Sequence, residues 1–465
     1  MKENKKTRKM PHIFVILVSI IIICTILTWI LPAGQFDRQL NDAGKEIAVA
    51  GSYHLVERTP VGPFEMVQSI YKGMVDAAPV IFFVYISFAS IGLIIDSGAF
   101  NGLVAGVLRK VKGNARLVII PLFITIIGLA SSTIGVFEEM LPFIPVFVGI
   151  SVAMGYDPLI GIAIVAVGTG AGYAGAVMNP FTVGMAQGIA DVPYMSGMGF
   201  RIISHLAMIT VSSIYLCRYA SRVEKDKTAS YVYGDQNEIV DNLQDQDIES
   251  HPFGIREKLV LLTLLAGILV VVWGSYNKGW YFDEVNAVFL LMGLVTSIIM
   301  GWGPNEIAER MARHFTDVTV ACMMIGIARG ILIILQAGNI IDTIVNGLSI
   351  PLSYLPKVLM GPAMLLFQSF LNFFIPSGSG QAVTSMPIMA PLADLLGISR
   401  QISVLAFQFG DGFSNIIWPT AFAPMIAGLG GAKLDKWWKL MVPLFILILI
   451  TQSILLMIAI AIGWQ

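Results

Sequence analysis

The chain carries one pattern twice, about 240 residues apart. Asp76 opens an apolar run that reaches Ile95-Asp96-Ser97-Gly98, and Asp317 opens one that reaches Leu335-Gln336-Ala337-Gly338, at offsets of 241 and 240 residues. The broken stretch Ser131-Ser132-Thr133-Ile134-Gly135, followed by Pro142, returns as Pro376-Ser377-Gly378-Ser379-Gly380, followed by Pro387. Gly170-Ala171-Gly172 returns as Gly410-Asp411-Gly412. Two matching halves, each with interrupted hydrophobic segments in corresponding places, are the pattern expected of a secondary transporter.

Of the 465 residues 56% are hydrophobic and 13% charged, with mean hydropathy +0.78. Ordinary soluble domains carry about 25% charge, so the chain reads as an integral membrane protein with the lipid bilayer as solvent. A net charge of -1 gives no basic field for nucleic acid. Cys24, Cys217 and Cys322 lie in separate apolar runs without metal or redox spacing and read as buried thiols. Lys2, Lys5, Lys6, Arg8 and Lys9 precede an apolar run that continues to Leu31 without an Ala-x-Ala exit, which reads as a retained first span.

Runs long enough to cross about 30 Å of hydrocarbon lie near residues 12–31, 76–96, 158–190, 199–219, 257–273, 283–301, 316–336, 401–430 and 437–462, nine crossings in all. Two more, 115–150 and 357–397, are broken by Ser, Gly and Pro and read as re-entrant hairpins whose tips line water or lie in protein. With the N-terminus cytoplasmic and the C-terminus external in the cell membrane, 20 Lys/Arg fall in cytoplasmic segments, eight in external ones, and Arg329 inside the membrane. Arg109, Lys110 and Lys112 are among the cytoplasmic set. Making either hairpin a full crossing spoils this bias. Five crossings separate Asp76 from Asp317, so the repeat is inverted and the hairpins dip from opposite sides. The expected fold is an all-α membrane protein with about nine spans, two re-entrant hairpins and two broken helices. Its parts are an N-terminal span and external segment (1–75), a first repeat (76–219), a solvated cytoplasmic linker (220–256) and a second repeat (257–465); Asp235, Glu238, Asp241, Asp245, Asp247 and Glu249 lie in the linker.

The clusters Gly168-Thr169-Gly170-Ala171-Gly172 and Gly410-Asp411-Gly412 are expected to unwind their spans, because each Gly disfavours helix by about 1 kcal/mol relative to Ala. Unwinding frees carbonyls of Gly168, Gly170 and Gly410 for a cation and helix N-termini for an anion. Close helix packing is the alternative use of such glycines. The string from Gly170 to Gly175 matches a dinucleotide fingerprint, but it lacks the preceding strand and soluble context. No Walker loop or His-Glu-x-x-His is present, so no resident cofactor is expected, and energy comes from Na⁺, H⁺ or solute exchange. Intramembrane charges mark function, which selects Glu138, Glu139, Arg329 and Asp411. Adjacent glutamates on a helix point about 100° apart, so one of the two is expected to face a cavity. Arg329 either contacts substrate or pairs with Asp411 or Glu138. Asp76 and Asp317 read as interfacial helix caps. Ser131, Ser132, Thr133, Thr169, Ser377, Ser379, Ser414 and Asn415 offer uncharged oxygens and amide groups at tips and breaks. Ser132, Ser379 and Ser414 join the three glycines as candidate ion ligands.

At these residues the chain resembles the ion transporter superfamily. Phe373-Phe374-Ile375-Pro376-Ser377-Gly378-Ser379-Gly380-Gln381-Ala382 and Phe409-Gly410-Asp411-Gly412-Phe413-Ser414-Asn415 are similar to the YfcC family, grouped with the DcuC-type C4-dicarboxylate carriers and the ArcD-type basic amino acid antiporters. The likeness spans nearly the whole chain outside the linker. It implies a small-molecule substrate held between hairpin tips and broken spans, elevator-like movement of that unit, and a homodimer. The sodium-coupled dicarboxylate branch carries Ser-Asn-Thr at both tips, whereas this chain has Ser131-Ser132-Thr133 and Ser377-Gly378-Ser379.

Carboxylates outnumber cations in the inferred core, the reverse of what a dianion needs. The expected function is therefore carriage of an amino acid, by basic amino acid uptake or arginine/ornithine exchange, with a C4-dicarboxylate or other organic acid as the alternative. A channel is disfavoured because no ring of repeated charge marks a filter. An intramembrane enzyme is disfavoured because no nucleophile and base pair stands out, and His12, His54, His205, His251 and His314 all fall at or near span ends or in loops.

Overall fold

The computed structural model describes residues 11–40, 46–49, 51–100, 102, 113–237 and 254–465. Lys2, Lys5, Lys6, Arg8, Lys9, Arg109, Lys110, Lys112, Glu238, Asp241, Asp245, Asp247, Glu249 and His251 lie outside the described residues.

Nine helices among the described residues are long and apolar enough to cross a membrane. The number equals the expected one, but the membership differs. Arg116–Ile134 and Lys357–Phe374 are the first arms of the two hairpins. The two broken spans are instead divided into Pro158–Ala174 with Met185–Ile189, and Arg400–Ser414 with Ala423–Leu429. The remaining seven are single helices: Ile13–Ile30, Ala78–Asp96, Met198–Lys225, Ile255–Ser275, Phe282–Met300, Pro304–Ala337 and Leu434–Ala461. Five crossings still separate Ala78–Asp96 from Pro304–Ala337, an odd number, so the repeat is inverted.

Packing follows the repeat. Ile13–Ile30 lies on Pro304–Ala337 as Phe282–Met300 lies on Ala78–Asp96, and these helices form a scaffold. Hairpin arm Ile119–Ile134 lies on Pro158–Ala174 and Met198–Lys225, as Lys357–Phe374 lies on Arg400–Ser414 and Leu434–Ala461. The two broken spans pack on each other at the centre of this second unit. One departure from symmetry has a plain cause. Pro304–Ala337 runs 34 residues, whereas its counterpart divides into Pro63–Asp76 and Ala78–Asp96. Pro79 stands where the second half has Val320, and a proline inside a helix removes a hydrogen bond and clashes with the preceding turn.

The glycine clusters do not unwind: the helices run unbroken to Ala174 and Ser414, through Gly168, Gly170 and Gly410. The reason is close packing. A side chain at Gly172 would strike the backbone of Gly128, and one at Gly412 the backbone of Ala174, where the two broken spans cross. Asp76 and Asp317 do not cap helices. Asp76 ends Pro63–Asp76 and pairs with Arg329, and Asp317 lies inside a helix, 3.4 Å from His314. The described start of the linker is not a solvated tether. Asn237 donates to the carbonyl of Gly430 at 2.9 Å, Asp235 holds Lys433 and Lys436 at 3.1 Å, and Ser230 donates to buried Asp157 at 2.6 Å. The segment thus ties the foot of the first broken span to the turn after the second. Burial raises the Asp235 carboxyl, but its hydrogen bonds from Lys436 and Lys433 outweigh this and leave it below the ordinary range. On the other side of the molecule, short ladders join Gly34–Gln35 to His54–Leu55 and Arg38–Leu40 to Glu46–Ala48, and buried Asp342 accepts Phe36 N–H and Arg38 at 2.7–2.9 Å.

Gly412→Ala should lower the unfolding temperature of detergent-purified protein by an amount equivalent to about 1–3 kcal/mol. Gly188→Ala, inside helix Met185–Ile189 and with nothing within 4 Å of the added methyl, should leave it unchanged or raise it slightly. Equal melting of the two variants would contradict the close helix crossing.

Candidate functional site

Inside a bilayer, free backbone polar groups must find partners in the protein. The first break, after Ala174, is satisfied largely by one residue of the first hairpin tip. Ser132 donates its hydroxyl to the carbonyl of Gly175 at 3.2 Å and accepts Val177 N–H at 3.0 Å. Its carbonyl accepts the N–H groups of Val177 and Met178, each at 3.1 Å. Ser131 donates to the carbonyl of Thr169 at 3.0 Å. Asn179 then starts the next turn by accepting Phe181 N–H at 2.9 Å.

The second break, over residues 415–422, uses larger groups. Asn372, in the first arm of the second hairpin, donates to Asp411 O at 3.1 Å, Ser414 Oγ at 2.7 Å and Asn415 Oδ1 at 3.0 Å. Trp437 and Trp438 donate to the carbonyls of Ile416 and Ile417 at 2.8 and 2.9 Å, and Phe422 N–H returns to Asn415 O at 3.0 Å. The sequence reading missed Asn372. Its signal was present: it lies 241 residues after Ser131, the repeat offset, in a mostly apolar run that also holds Gln368 and Ser369.

Between the breaks and the scaffold lies a cavity of about 620 Å³. Its wall includes Glu138 and Glu139 of the first hairpin, Tyr173 of the first broken span, Ser377, Gly378 and Ser379 of the second tip, and Asn415 and Thr420 of the second break. The scaffold contributes Asp76, Tyr281, Asp283, Glu284 and Arg329. A second cavity of about 440 Å³ shares Arg329 and Ser377 with the first and opens toward Arg38, Asn339 and Asp342.

The sequence candidates divide on this geometry. Glu138, Glu139, Arg329, Ser377, Ser379 and Asn415 reach the cavity. Ser131, Ser132, Thr133, Thr169 and Ser414 are absent from its wall. Thr133 donates to Leu129 O, Thr169 to Val165 O and Ser414 to Gly410 O, at 2.7–2.8 Å. The carbonyls of Gly168, Gly170 and Gly410, expected to be freed by unwinding, stay within helix. Asp411 is fully buried behind Gly378. Two further corrections concern charge. Both glutamates reach the wall, because Glu138–Phe143 is a 3-10 turn instead of an α-helix; Glu139 folds back to accept Phe137 N–H at 2.9 Å. Arg329 pairs with neither Asp411 nor Glu138 but with Asp76. Arg201, counted with the external cations, is wholly buried, donating to Gln401 Oε1 at 2.9 Å beside Trp464.

Asn372→Ala should destabilise the purified protein by about 1–3 kcal/mol, the usual cost of leaving buried partners unpaired. Thermal unfolding checks this, with Thr263→Ala, whose exposed hydroxyl meets only its own helix, as the silent control.

Residues 10–461 match the family model described as the C4-dicarboxylate anaerobic carrier, DcuC. YfcC of Escherichia coli K12, provisionally named a basic amino acid antiporter, is 32% identical over 511 aligned positions, which cover 100% of this chain and 99% of YfcC. A Haemophilus influenzae protein of unassigned activity is 28% identical over 502 positions, covering 99% and 98%. Among solved structures, MtrF of Neisseria gonorrhoeae, titled as one of a class of antimetabolite efflux pumps, aligns at TM-score 0.47 and 17% identity over 97% of this chain and 95% of that one, a loose likeness. With the family matched over residues 10–461 and a full-length relative at 32% identity, the chain belongs to the DcuC family of membrane transporters, together with YfcC.

Proposed function

We propose that this transporter carries a cationic amino acid, by uptake or by exchange, through elevator-like movement of the unit that bears the hairpins and broken spans. The observation that carries the reading is the charge on the cavity wall: Asp76, Glu138, Glu139, Asp283 and Glu284 face a single guanidinium, Arg329. Arg329 is already held by Asp76. Among the described residues none of Glu138, Glu139, Asp283 and Glu284 is paired with a Lys or Arg, so a cation is what the wall lacks. Tyr173 and Tyr281 add aromatic faces suited to a guanidinium or ammonium. The substrate's own carboxylate fits the start of helix Gly378–Leu395, where Ser377 caps and the first N–H groups lack helical partners. A cavity near 620 Å³ is of the size that small ligands occupy.

A second reading, carriage of a C4-dicarboxylate, draws on the description of the matching family. It requires Arg329 to leave Asp76 and the wall acids to be neutralised. The first reading also draws on the provisional name of YfcC. A homodimer in the cell membrane, N-terminus cytoplasmic and C-terminus external, completes the proposal.

Purified protein in proteoliposomes should take up or exchange labelled arginine, with unlabelled lysine or ornithine competing and succinate without effect. Glu138→Gln should raise the KM for arginine about tenfold or more, equivalent to about 1.4 kcal/mol, with folding intact. Transport of succinate without arginine would overturn the cationic reading.

A further inference from the structure

Asp411 is, among the described residues, the one carboxylate with both side-chain oxygens buried and without a hydrogen bond of ordinary geometry; the Asn415 amide beside it donates to the Asp411 backbone carbonyl at 2.7 Å. It lies in the middle of the second unit, 0% exposed, next to the tip of the second hairpin. A side chain added at Gly378 would begin 3.2 Å from Asp411 Oδ2, 2.9 Å from the Tyr173 hydroxyl and 2.7 Å from Thr182 Cγ2. Gly378 lines the cavity and Asp411 does not, so this glycine is the thin partition between carboxyl and cavity.

The groups around Asp411 do not compensate a charge. Tyr173 comes from the first broken span and Glu138 from the first hairpin, one neutral and one acidic. Hairpin arm Lys357–Phe374 brings Asn372, whose amide N–H groups go to the Asp411 carbonyl, Ser414 and Asn415, leaving its own oxygen unpartnered. The first broken span brings Thr182, whose hydroxyl is also buried and unpartnered and whose methyl shares the Gly378 neighbourhood with the carboxyl. Helix Gly378–Leu395 has no Lys, Arg or His, and among the described residues no cation pairs with Asp411; the side-chain donor beside its carboxyl is the neutral amide of Asn415. An ionised carboxylate in this setting is strongly disfavoured, because nothing in the protein replaces the water it gives up. Its oxygens also have no surface open to water, so the occupant that fits without moving the tip is a proton.

We propose that Asp411 carries the proton coupled to transport: the second hairpin tip closes over it only as the neutral acid, and lifting the tip admits water and lets it ionise. A proton from water on one side bonds to a carboxylate oxygen; on the other side that O–H bond breaks and the proton returns to water. No electron changes hands. The coupling half of this inference rests on the proposed carriage of arginine; the proton site itself does not.

The test uses full-length protein and two readouts. Infrared spectroscopy of the purified protein at neutral pH, without substrate, should show the C=O stretch of a buried protonated carboxyl group as a component present in wild type and lost in the Asp411→Asn difference spectrum. Glu138→Gln, spectrally similar in kind, should keep the band. In proteoliposomes, a trapped pH dye should report protons moving with arginine in wild type, and protons moved per arginine should fall to background in Asp411→Asn. Identical carboxyl bands in wild type and Asp411→Asn would overturn the proton site, as would undiminished proton flux in the variant. The band with no arginine movement would leave the site standing and overturn the substrate assignment instead.

Discussion

A membrane-embedded chain that stops being helical must satisfy its own backbone, and the rest of this molecule is arranged around that requirement. Each break frees carbonyl and N–H groups where lipid offers no partner. The hairpins supply them: Ser131 and Ser132 bind the end of the first broken span, and Asn372 binds the end of the second. A tip and its break are therefore one hydrogen-bonded piece, and the two pieces meet where Pro158–Ala174 crosses Arg400–Ser414. The indoles of Trp437 and Trp438 tie the last helix into the same assembly. The linker start adds polar bonds at one end, through Asn237 and Asp235.

This arrangement gives a unit suited to moving as a body, and it explains why so few of the polar tip residues face the cavity. Those that hold the breaks are spent on backbone. What faces the cavity instead is the 3-10 turn with Glu138 and Glu139, the half-buried start of helix Gly378–Leu395, and the scaffold wall opposite. The Arg329–Asp76 pair lies on that wall at the boundary of two cavities, so the lone cation of the larger one is already neutralised. The acidic surplus follows from that pairing.

The architecture was legible in the sequence because inverted repetition and hydrophobic length are properties of the chain itself. Asp76 and Asp317, the two Ser/Gly tips and the Lys/Arg asymmetry between segments carried the repeat, the hairpins and the parity. What misled was local chemistry with two physical uses. Glycines that can unwind a helix also let helices touch, and at Gly172 and Gly412 the neighbouring backbone shows the second use. Hydroxyls that can bind a solute also bind carbonyls, and Ser131 and Ser132 do so. Partners distant in sequence, such as Asp76 for Arg329 or Asp283 and Glu284 on the cavity wall, carry no signal in spacing. Asn372 did carry one, at the repeat offset, and was hidden by its apolar neighbours.

The central claim is that the two hairpins enter the membrane from opposite faces and meet inside it. Single cysteines at Lys227, beside the foot of the first hairpin at Gly155, and at Lys357, at the foot of the second, test it in a background lacking Cys24, Cys217 and Cys322. With a membrane-impermeant thiol reagent on intact cells and on inside-out vesicles, Lys357→Cys should label only from outside and Lys227→Cys only from the cytoplasmic side. Labelling of both from the same face would contradict the inverted arrangement and the cavity built on it.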